Sequence, residues 1–416
     1  MFHRSIEPDL PRTMRRALAA LLFTPAPLLA QDIALVNANV VDVEAGRIIA
    51  NATIVISGTH VMSITPGGAA PTGARAVNLG GRYVLPGLMD AHVHVASLNQ
   101  AERMLMSGVT TARSMGTSHF ADVGLRELGR TGYAEIPEIL AAGYHVRPAM
   151  AEQFFLDHPE LGALRESGVH GADAMRTVGR TLAGHGVDFI KTNATERAGL
   201  PTTDPRKQLY GEDELTALVE AASATRGVAA HAHGAEGAHA AVAAGVRSIE
   251  HGTYLSGATL RLMAERGTFL VPTIAIVADL TIPGGDYDDA LLQIRGRHML
   301  PRAREMATQA RQAGVRIVAA TDTGYGPEST TRISHELAEF VAIGMSPAEA
   351  LRSATTIAAQ LFGIADRTGR IDAGLEADLI VLERNPLEAI DAVQDVLMVI
   401  NNGRIAVTRG DWSATN

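Results

Sequence analysis

Two histidines one residue apart, His92 and His94, end an apolar run that begins at Val84. On a β-strand, residues i and i+2 point to the same face, so both imidazoles can reach one point in space. Imidazole is a common protein ligand of transition metals, and a strand with this spacing offers two ligands to one ion. The same spacing also occurs on ordinary half-buried strands, so the other strand ends of the chain decide whether a metal site is present.

Between residues 86 and 364, strand-like runs alternate with helical patterns such as 211–222 and 301–313. With the opening run, eight strands are predicted, at 84–94, 108–113, 138–142, 187–191, 227–231, 248–251, 268–273 and 316–322. Eight βα units in a segment of this length indicate a (β/α)8 barrel, a TIM-like α/β fold whose chemistry lies at the carboxyl ends of the strands.

Five of these strand ends carry side chains that bind a metal ion directly or after modification. They are His92 with His94, Lys191, His231, His251 and Asp322. Each alone has an ordinary interpretation as a core histidine, a solvated lysine or a turn aspartate. Their agreement along the chain, at the strand ends where barrel enzymes place their chemistry, favours a metal centre.

The composition limits the kind of site. The chain has 416 residues, 46% hydrophobic and 19% charged, which is typical of a globular protein with one large and one smaller domain. Its formal net charge of −9 argues against a nucleic-acid partner. Cysteine is absent, so a metal must be held by His, Asp, Glu or a modified side chain, as in catalytic rather than structural sites.

The first thirty residues have the pattern of a secretory signal peptide. Arg15 and Arg16 precede an apolar run at 17–23, and small residues lead to Ala30, after which cleavage is predicted. We therefore expect residues 1–30 to be an N-terminal extension and signal peptide, and the mature protein to be periplasmic or secreted; the alternative is a disordered tail. No other segment is apolar enough for stable membrane insertion.

Short strand patterns with Gly and Asn turns flank the barrel on both sides. They fall in residues 31–85 and 365–416, and Asn401-Asn402-Gly403 is typical of a hairpin turn between the last two strands. We predict that these two segments form one composite β-sandwich and that residues 86–364 form the catalytic barrel.

The order H-x-H, Lys, His, His, Asp resembles the amidohydrolase superfamily, in its branch with two divalent metal ions. The flanking segments 84–92 and 374–382 match as well, and the resemblance extends over about 32–410. It implies that CO2 carboxylates Lys191, which then bridges two ions, with zinc the default. His92, His94 and Asp322 would bind one ion and His231 and His251 the other. His233 competes with His231, but the 20-residue spacing from His231 to His251 resembles the family pattern.

The same resemblance implies a reaction. A metal-bridging hydroxide would attack an amide carbonyl, Asp322 would transfer the proton to the leaving nitrogen, and His233 would orient the substrate or polarise its carbonyl. The sequence is similar to the group of imidazolonepropionase-like proteins, Xaa-Pro or Xaa-Arg dipeptidases and bacterial amidohydrolases that cleave ochratoxin A.

That group implies hydrolysis of an amide bond to a C-terminal amino acid in a small amide or dipeptide, ochratoxin A included. The alternatives are a cyclic amide hydrolase of the imidazolonepropionase type and a non-catalytic scaffold. The predicted export disfavours the first, and the retention of every ligand disfavours the second. By analogy with similar barrels, we expect a homo-oligomer.

A substrate carboxylate beside the scissile amide needs a cationic or donor group. Candidates are His145, which follows the third strand run, His233, and Arg197 after the Lys191 strand. Tyr254 and Ser97 follow ligand strands and are candidates for the pocket wall. Phe154-Phe155 is either an apolar lid or ordinary packing.

Overall fold

The computed structural model describes residues 31–133, 135–410 and 412. Its strands, in chain order, are β1 (Ile33–Asp42), β2 (Arg47–Ser57), β3 (His60–Pro66), β4 (Arg75–Asn78), β5 (Tyr83–Pro86), β6 (Leu88–Val93), β7 (Val109–Ser114), β8 (Glu138–Ala141), β9 (Ile190–Asn193), β10 (Val228–Ala232), β11 (Ser248–His251), β12 (Phe269–Val271), β13 (Leu379–Leu382), β14 (Val396–Asn401) and β15 (Arg404–Thr408). The predicted signal peptide lies outside the described residues.

Helices fill the connections between the barrel strands. They are α1 (Leu98–Met106), α2 (Ala121–Arg130), α3 (Glu152–Asp157), α4 (Ala163–Ser167), α5 (Ala172–Gly184), α6 (Glu212–Ala221), α7 (Ala235–Ala244), α8 (Gly257–Arg266), α9 (Ile274–Asp279), α10 (Ala290–Gln312), α11 (Ile333–Ala342), α12 (Pro347–Ser353) and α13 (Thr356–Phe362). Three short 3-10 helices occur at Ser118–Phe120, Pro159–Leu161 and Ile390–Gln394. None of the helices in the described part of the chain is long and apolar enough to cross a membrane.

The barrel strands pair in parallel as two groups, β6-β7-β8 and β9-β10-β11-β12, each in chain order. Val146, just after β8, joins the groups, because its N–H donates to the Lys191 carbonyl (2.8 Å) and its carbonyl accepts from the Asn193 N–H (3.1 Å). The connection holds the segment that follows β8 beside β9, which carries Lys191.

The eighth predicted strand, 316–322, is not a regular strand, although it closes the ring. Leu270 of β12 donates to the Arg316 carbonyl and accepts from Val318 (both 2.9 Å), and on the other side the Ala91 N–H donates to the Ala319 carbonyl (3.2 Å). The segment then leaves extended geometry at Asp322, whose φ is +57°. Ring closure by these bonds confirms the α/β barrel, while the strand prediction at 316–322 is wrong in its local geometry.

Both ends of the described chain share one eight-stranded sheet. Its order is β15-β14-β13-β5-β1-β2-β3, with β4 beside β1, and the two ends meet where β13 pairs antiparallel with β5. Buried side chains from both ends, including Leu35, Val84, Leu379 and Ile400, form one core. Asn402 and Gly403, both at positive φ, make the predicted turn between β14 and β15. The composite β-domain is therefore confirmed as a fold feature, and its exact boundaries stay a prediction.

One helix begins much earlier than its pattern indicates. The sequence predicts a helix from Pro301, but α10 begins at Ala290 and contains Pro301 in its interior. The Asp289 carboxylate accepts hydrogen bonds from the N–H groups of Leu291 and Leu292, which satisfies the open first turn. This N-cap determines where the helix begins, and proline is tolerated inside it.

A core of apolar side chains fills the barrel interior below the carboxyl ends of the strands. It includes Met89, Phe189, Phe269 and Val318, and it is continuous with Phe362 of α13. Because this interior is packed, small molecules can approach the barrel axis only from the end where His92 and Asp322 lie.

Candidate metal centre

The six predicted metal ligands lie together at the carboxyl end of the barrel. All of them line one pocket. The ligands are His92, His94, Lys191, His231, His251 and Asp322. Their strands bring them together because β6, β9, β10 and β11 and the segment ending at Asp322 all point the same way around the ring. Whether each one binds metal remains a prediction.

Asp322 lies between the histidines of β6 and β11. Its Oδ1 is 3.3 Å from His92 Nε2 and 3.2 Å from His94 Nε2, and its Oδ2 is 4.0 Å from His251 Nε2. The ligand atoms of His92, His251 and Asp322 fall within 4.8 Å of one another, a separation that one ion can span. The carboxylate is thus placed to touch both halves of a two-metal site.

The second cluster contains three histidines rather than two. The ring nitrogens of His231, His233 and His251 lie within 4.8 Å of one another. His231 Nε2 contacts the Glu196 carbonyl at 3.1 Å, which leaves its Nδ1 as the ligand atom. His233 Nδ1 contacts Thr253 Oγ1 at 2.9 Å, which leaves its Nε2 available to a metal ion or a substrate. Both histidines therefore have one ring nitrogen available in the cluster. By its geometry, His233 can act either as a metal ligand or as a contact for the substrate.

The other histidines are oriented in the same manner, through one nitrogen each. His92 Nδ1 contacts Glu250 Oε2 (3.0 Å), His94 Nδ1 contacts the Gly116 carbonyl (3.2 Å) and His251 Nδ1 contacts Thr273 Oγ1 (2.7 Å). Such contacts fix the ring orientation and direct the free nitrogen of metal-binding histidines toward the ion.

The electrostatics keep the imidazoles of His92, His231, His233 and His251 in the neutral form that binds metals. Burial, followed by repulsion from nearby cations, holds the pKa of His92, His231 and His251 well below 6.5. Burial likewise lowers the pKa of His233 to about 3. For Asp322, burial raises the pKa, but the nearby His92 and His94 outweigh it and hold the carboxyl ionised. The donor set is neutral imidazole plus carboxylate, which suits a divalent transition metal.

Lys191 is buried without a hydrogen-bond partner among the described residues, and a metal site would explain this arrangement. Its side chain is only 2% exposed and its Nζ has no hydrogen-bond partner among the described residues. Burial lowers its pKa to about 8, so the free amine is accessible near neutral pH. An unpaired buried ammonium is costly, whereas an oxygen ligand at this position would be satisfied by metal ions. The residues present therefore fit the implied two-metal group.

Two of the ligand positions have strained backbones. His251 (φ +73°) and Asp322 (φ +57°) are both in the left-handed region that non-glycine residues rarely occupy. Such strain persists only where the surrounding structure fixes it, and it clusters at functional sites.

Sequence reasoning missed the residues that support His92. Glu250 is fully buried, and besides His92 its carboxylate contacts Arg113 Nη2 (3.0 Å) and Ser248 Oγ (2.5 Å). Arg113 also donates to the Ala91 carbonyl at 3.0 Å. The sequence signal that could have identified this pair is a charged residue within each of two short buried strands, Arg113 in β7 and Glu250 in β11. Charged side chains are rarely buried unless they are paired.

His145 and Arg197 both line the pocket, as the substrate hypothesis requires. The His145 ring stands 5.5 Å from that of His94, and its Nε2 is buried without a partner among the described residues. Gly116 makes room for it, since a Cβ at this position would overlap the His145 ring. Their role in binding substrate is not tested by this placement.

Ser97 and Tyr254 are not brought into the pocket lining. Ser97 is exposed and caps α1, where its Oγ accepts from the Gln100 N–H. Tyr254 packs against a small apolar cluster that contains Ala198, Ile276 and Val277, but it does not itself line the pocket. Their assignment as direct contacts has no support in the geometry, because nearby strand ends were a poor guide to loop direction.

The phenylalanine pair belongs to the core and not to a lid. Phe154 and Phe155 are both buried in α3, and the Phe154 ring packs on those of Tyr144 and His158. The pocket wall instead contains two polar residues that sequence reasoning missed, Asn193 and Tyr287. Tyr287 comes from the loop between α9 and α10, where nothing in the sequence distinguishes it.

Comparisons with known proteins agree with this site. The model of the amidohydrolase family matches residues 83–406. An uncharacterised protein of Mycobacterium tuberculosis is 31% identical over 341 residues, covering 78% of this chain and 85% of its own. Ochratoxinase of Aspergillus niger is 27% identical over 354 residues, covering 75% of this chain and 72% of its own.

Solved structures agree as well. The structure of a prolidase complexed with N-methylphosphonate-L-proline superposes with a TM-score of 0.80 at 28% identity, covering 91% of this chain and 100% of that one. Fold, family match and relatives coincide, and the chain belongs to the amidohydrolase family, hydrolases that act on carbon–nitrogen bonds.

Proposed function

We propose that this protein is a metal-dependent hydrolase that cleaves the amide bond to a C-terminal amino acid, in an N-acyl amino acid or a dipeptide. The observation that carries the proposal is that one pocket is lined both by the cluster of candidate metal ligands and by His145 and Arg197. The cluster suits attack on an amide carbonyl, and the two donors suit a free carboxylate beside it. The similarity to an ochratoxinase and a prolidase supports the same substrate class.

The family is metal-dependent, and the residues that would hold two divalent ions are His92, His94, Asp322, His231 and His251, with Lys191 bridging them after carboxylation by CO2. Zinc is the default for such a set of nitrogen and oxygen donors. When bound, two such ions supply Lewis acidity and lower the pKa of water.

The protein's own side chains provide proton transfer and positioning. Asp322 is ionised and exposed enough, at 16% of its side chain, to accept a proton at a carboxylate oxygen and pass it to the leaving nitrogen. Arg197 supplies a cation for the substrate carboxylate. His145 is held neutral, because burial and then the charges of its neighbours lower its pKa, and can donate one N–H. His233, with Nδ1 on Thr253, directs Nε2 toward the substrate carbonyl.

Apolar side chains complete the pocket lining, namely those of Ala198, Ile276, Val277 and Leu280. The pocket lies above the packed interior of the barrel, a position typical of sites for small molecules and not for folded polypeptides. The expected partner is thus a small molecule.

The test is amino-acid release by the metal-loaded protein. A panel of N-acyl amino acids, dipeptides and ochratoxin A is incubated with it, and free amino acids are detected by mass. Release of the C-terminal amino acid, absent from a chelator-treated control, is the expected result. A metal-replete protein that releases none, but opens cyclic amides, would overturn the proposal in favour of an imidazolonepropionase-like activity. Export to the periplasm or beyond and homo-oligomer formation also remain proposals, to be checked by fractionation and by mass in solution.

A further inference from the structure

Two arginines at the pocket entrance have no anionic partner. Arg147 and Arg197 line an outer cavity, which shares His145, Tyr287 and Asp322 with the metal pocket. Within the described part of the chain, neither guanidinium forms a hydrogen bond or an ion pair, and the Arg147 Nε is buried without a partner. No carboxylate other than Asp322 lines this cavity.

Other partly or fully buried arginines of the barrel have hydrogen-bond acceptors among the described residues. Arg126 contacts the Asp188 carboxylate at 2.7 Å, whereas Arg247 and Arg295 donate to backbone carbonyls. Guanidinium groups removed from water are normally satisfied by such acceptors. The exception at the entrance therefore indicates that a ligand supplies the missing acceptor.

The position of Arg147 is fixed by the barrel. Val146 is held against β9 by two backbone hydrogen bonds, so His145 and Arg147 flank it on one face of an extended segment. His145 reaches the metal pocket, and Arg147 reaches only the outer cavity. Arg197, which lines both, stands between the two regions.

The local electrostatics disfavour this arrangement when no ligand is bound. Burial, followed by repulsion from Arg197, lowers the pKa of Arg147. Its charge also acts on Tyr210, whose buried hydroxyl is another polar group without a partner among the described residues. An anion between the two arginines would relieve their repulsion and satisfy their donors.

We propose that Arg147, next to Arg197, forms a subsite for a second anionic group of the substrate, so that the preferred substrate is an N-acyl amino acid or dipeptide with two carboxylates. This inference rests on the proposed function. The scissile amide would lie near Asp322, the carboxylate beside it would reach Arg197, and the second would reach Arg147 in the outer cavity. The second carboxylate belongs either to the side chain of the leaving amino acid or to the acyl group.

Two pairs of nearly isosteric compounds distinguish these sources. N-acetyl-L-glutamate and N-acetyl-L-glutamine differ by a charge on the leaving amino acid. N-succinyl-L-phenylalanine and its succinamoyl analogue differ by a charge on the acyl group. For the holoenzyme we expect kcat/KM to favour the charged member of one pair by at least about tenfold, mainly through KM. The pair that shows the preference identifies the source.

Variants of Arg147 then test the residue itself. Arg147→Gln is expected to reduce the preference for the charged compound to near unity. Arg147→Lys is expected to retain part of this preference, because lysine keeps the positive charge but lacks the planar guanidinium that binds a carboxylate through two hydrogen bonds. Arg180→Gln is the matched control, because Arg180 is exposed on α5 and lines neither cavity. Circular dichroism checks that all three variants fold.

Equal kcat/KM values for the two members of both pairs, or a preference for the charged compound that is unchanged in Arg147→Gln, would overturn the proposed subsite. In either case, hydrolysis of the amides would still support the proposed function. If no amide is hydrolysed, calorimetry with N-acetyl-L-glutamate and N-acetyl-L-glutamine tests the subsite separately. Tighter binding of the charged compound to the wild-type protein, lost in Arg147→Gln, supports it, and equal binding overturns it.

Discussion

Arg113 and Lys191 are both buried cations in the same barrel, but only one has partners. Arg113, on β7, contacts Glu250 at 3.0 Å and donates to Ser248 and to the Ala91 carbonyl. Lys191, on β9, has no hydrogen-bond partner among the described residues. The comparison separates two environments for buried charge: Arg113 is paired with Glu250, which also contacts His92, whereas Lys191 is unpaired among the described residues, as the proposed metal site requires.

The largest expected effect is at Lys191. Lys191→Met should lower turnover of the preferred substrate by more than about 10³-fold, because the bridging ligand is lost. The metal-free variant should unfold at the same or a higher urea concentration than the wild type, since an unpaired buried amine is replaced by an apolar chain. Turnover within tenfold of wild type would show that Lys191 is not part of the reacting centre.

Asp322 should show the next effect, because it is placed to move a proton as well as to bind. Asp322→Asn is nearly isosteric and should reduce kcat by about 10²- to 10⁴-fold. The far-ultraviolet circular dichroism spectrum should stay unchanged. Near-normal kcat in a correctly folded variant would remove Asp322 from proton transfer.

Arg113 should behave in the opposite way to Lys191. Arg113→Met leaves Glu250 buried without its cation, and we expect it to lower the free energy of unfolding by about 3–5 kcal/mol. Urea denaturation of the metal-free proteins measures this, with the exposed Arg165→Met as the control. A loss below about 1 kcal/mol would mean that the paired and unpaired cations do not differ in their structural role.

The smallest effect is expected from pH. His92, His231 and His251 have folded pKa values well below 6.5, and that of His233 is about 3, so the unfolded chain takes up protons first as the pH falls. Stability of the metal-free protein should therefore be fully present above about pH 6.5 and decrease below it, by roughly 1 kcal/mol per histidine per pH unit. Urea midpoints at several pH values test this, and a constant midpoint would contradict it.

The convergence of the six candidate ligands at one pocket could be predicted from the sequence because the strand pattern carries it. Each ligand lies at the end of a short apolar run, and parallel strands of a barrel bring such ends together. The turn at Asn402-Gly403 was predictable for a similar local reason. Both kinds of inference depend only on neighbours in the chain and on the regularity of the fold.

The residues that support His92, and Asn193 and Tyr287 of the pocket wall, were not predicted because loops and tertiary contacts place them. The partnership of Arg113 with Glu250 joins strands 137 positions apart in the chain. Tyr287 lines the pocket from a connecting loop, whereas Tyr254 does not line it. The left-handed backbone at Asp322, which ends the extended run, likewise depends on contacts that no periodicity reveals.

The most direct test of the central claim is the metal content of the saturated and dialysed protein, measured by elemental analysis beside Lys191→Met. We predict two divalent ions per chain in the wild type and a loss of at least one in the variant, because the unpartnered lysine is the group that completes the site. Two ions retained in Lys191→Met, or none in the wild type, would contradict the account.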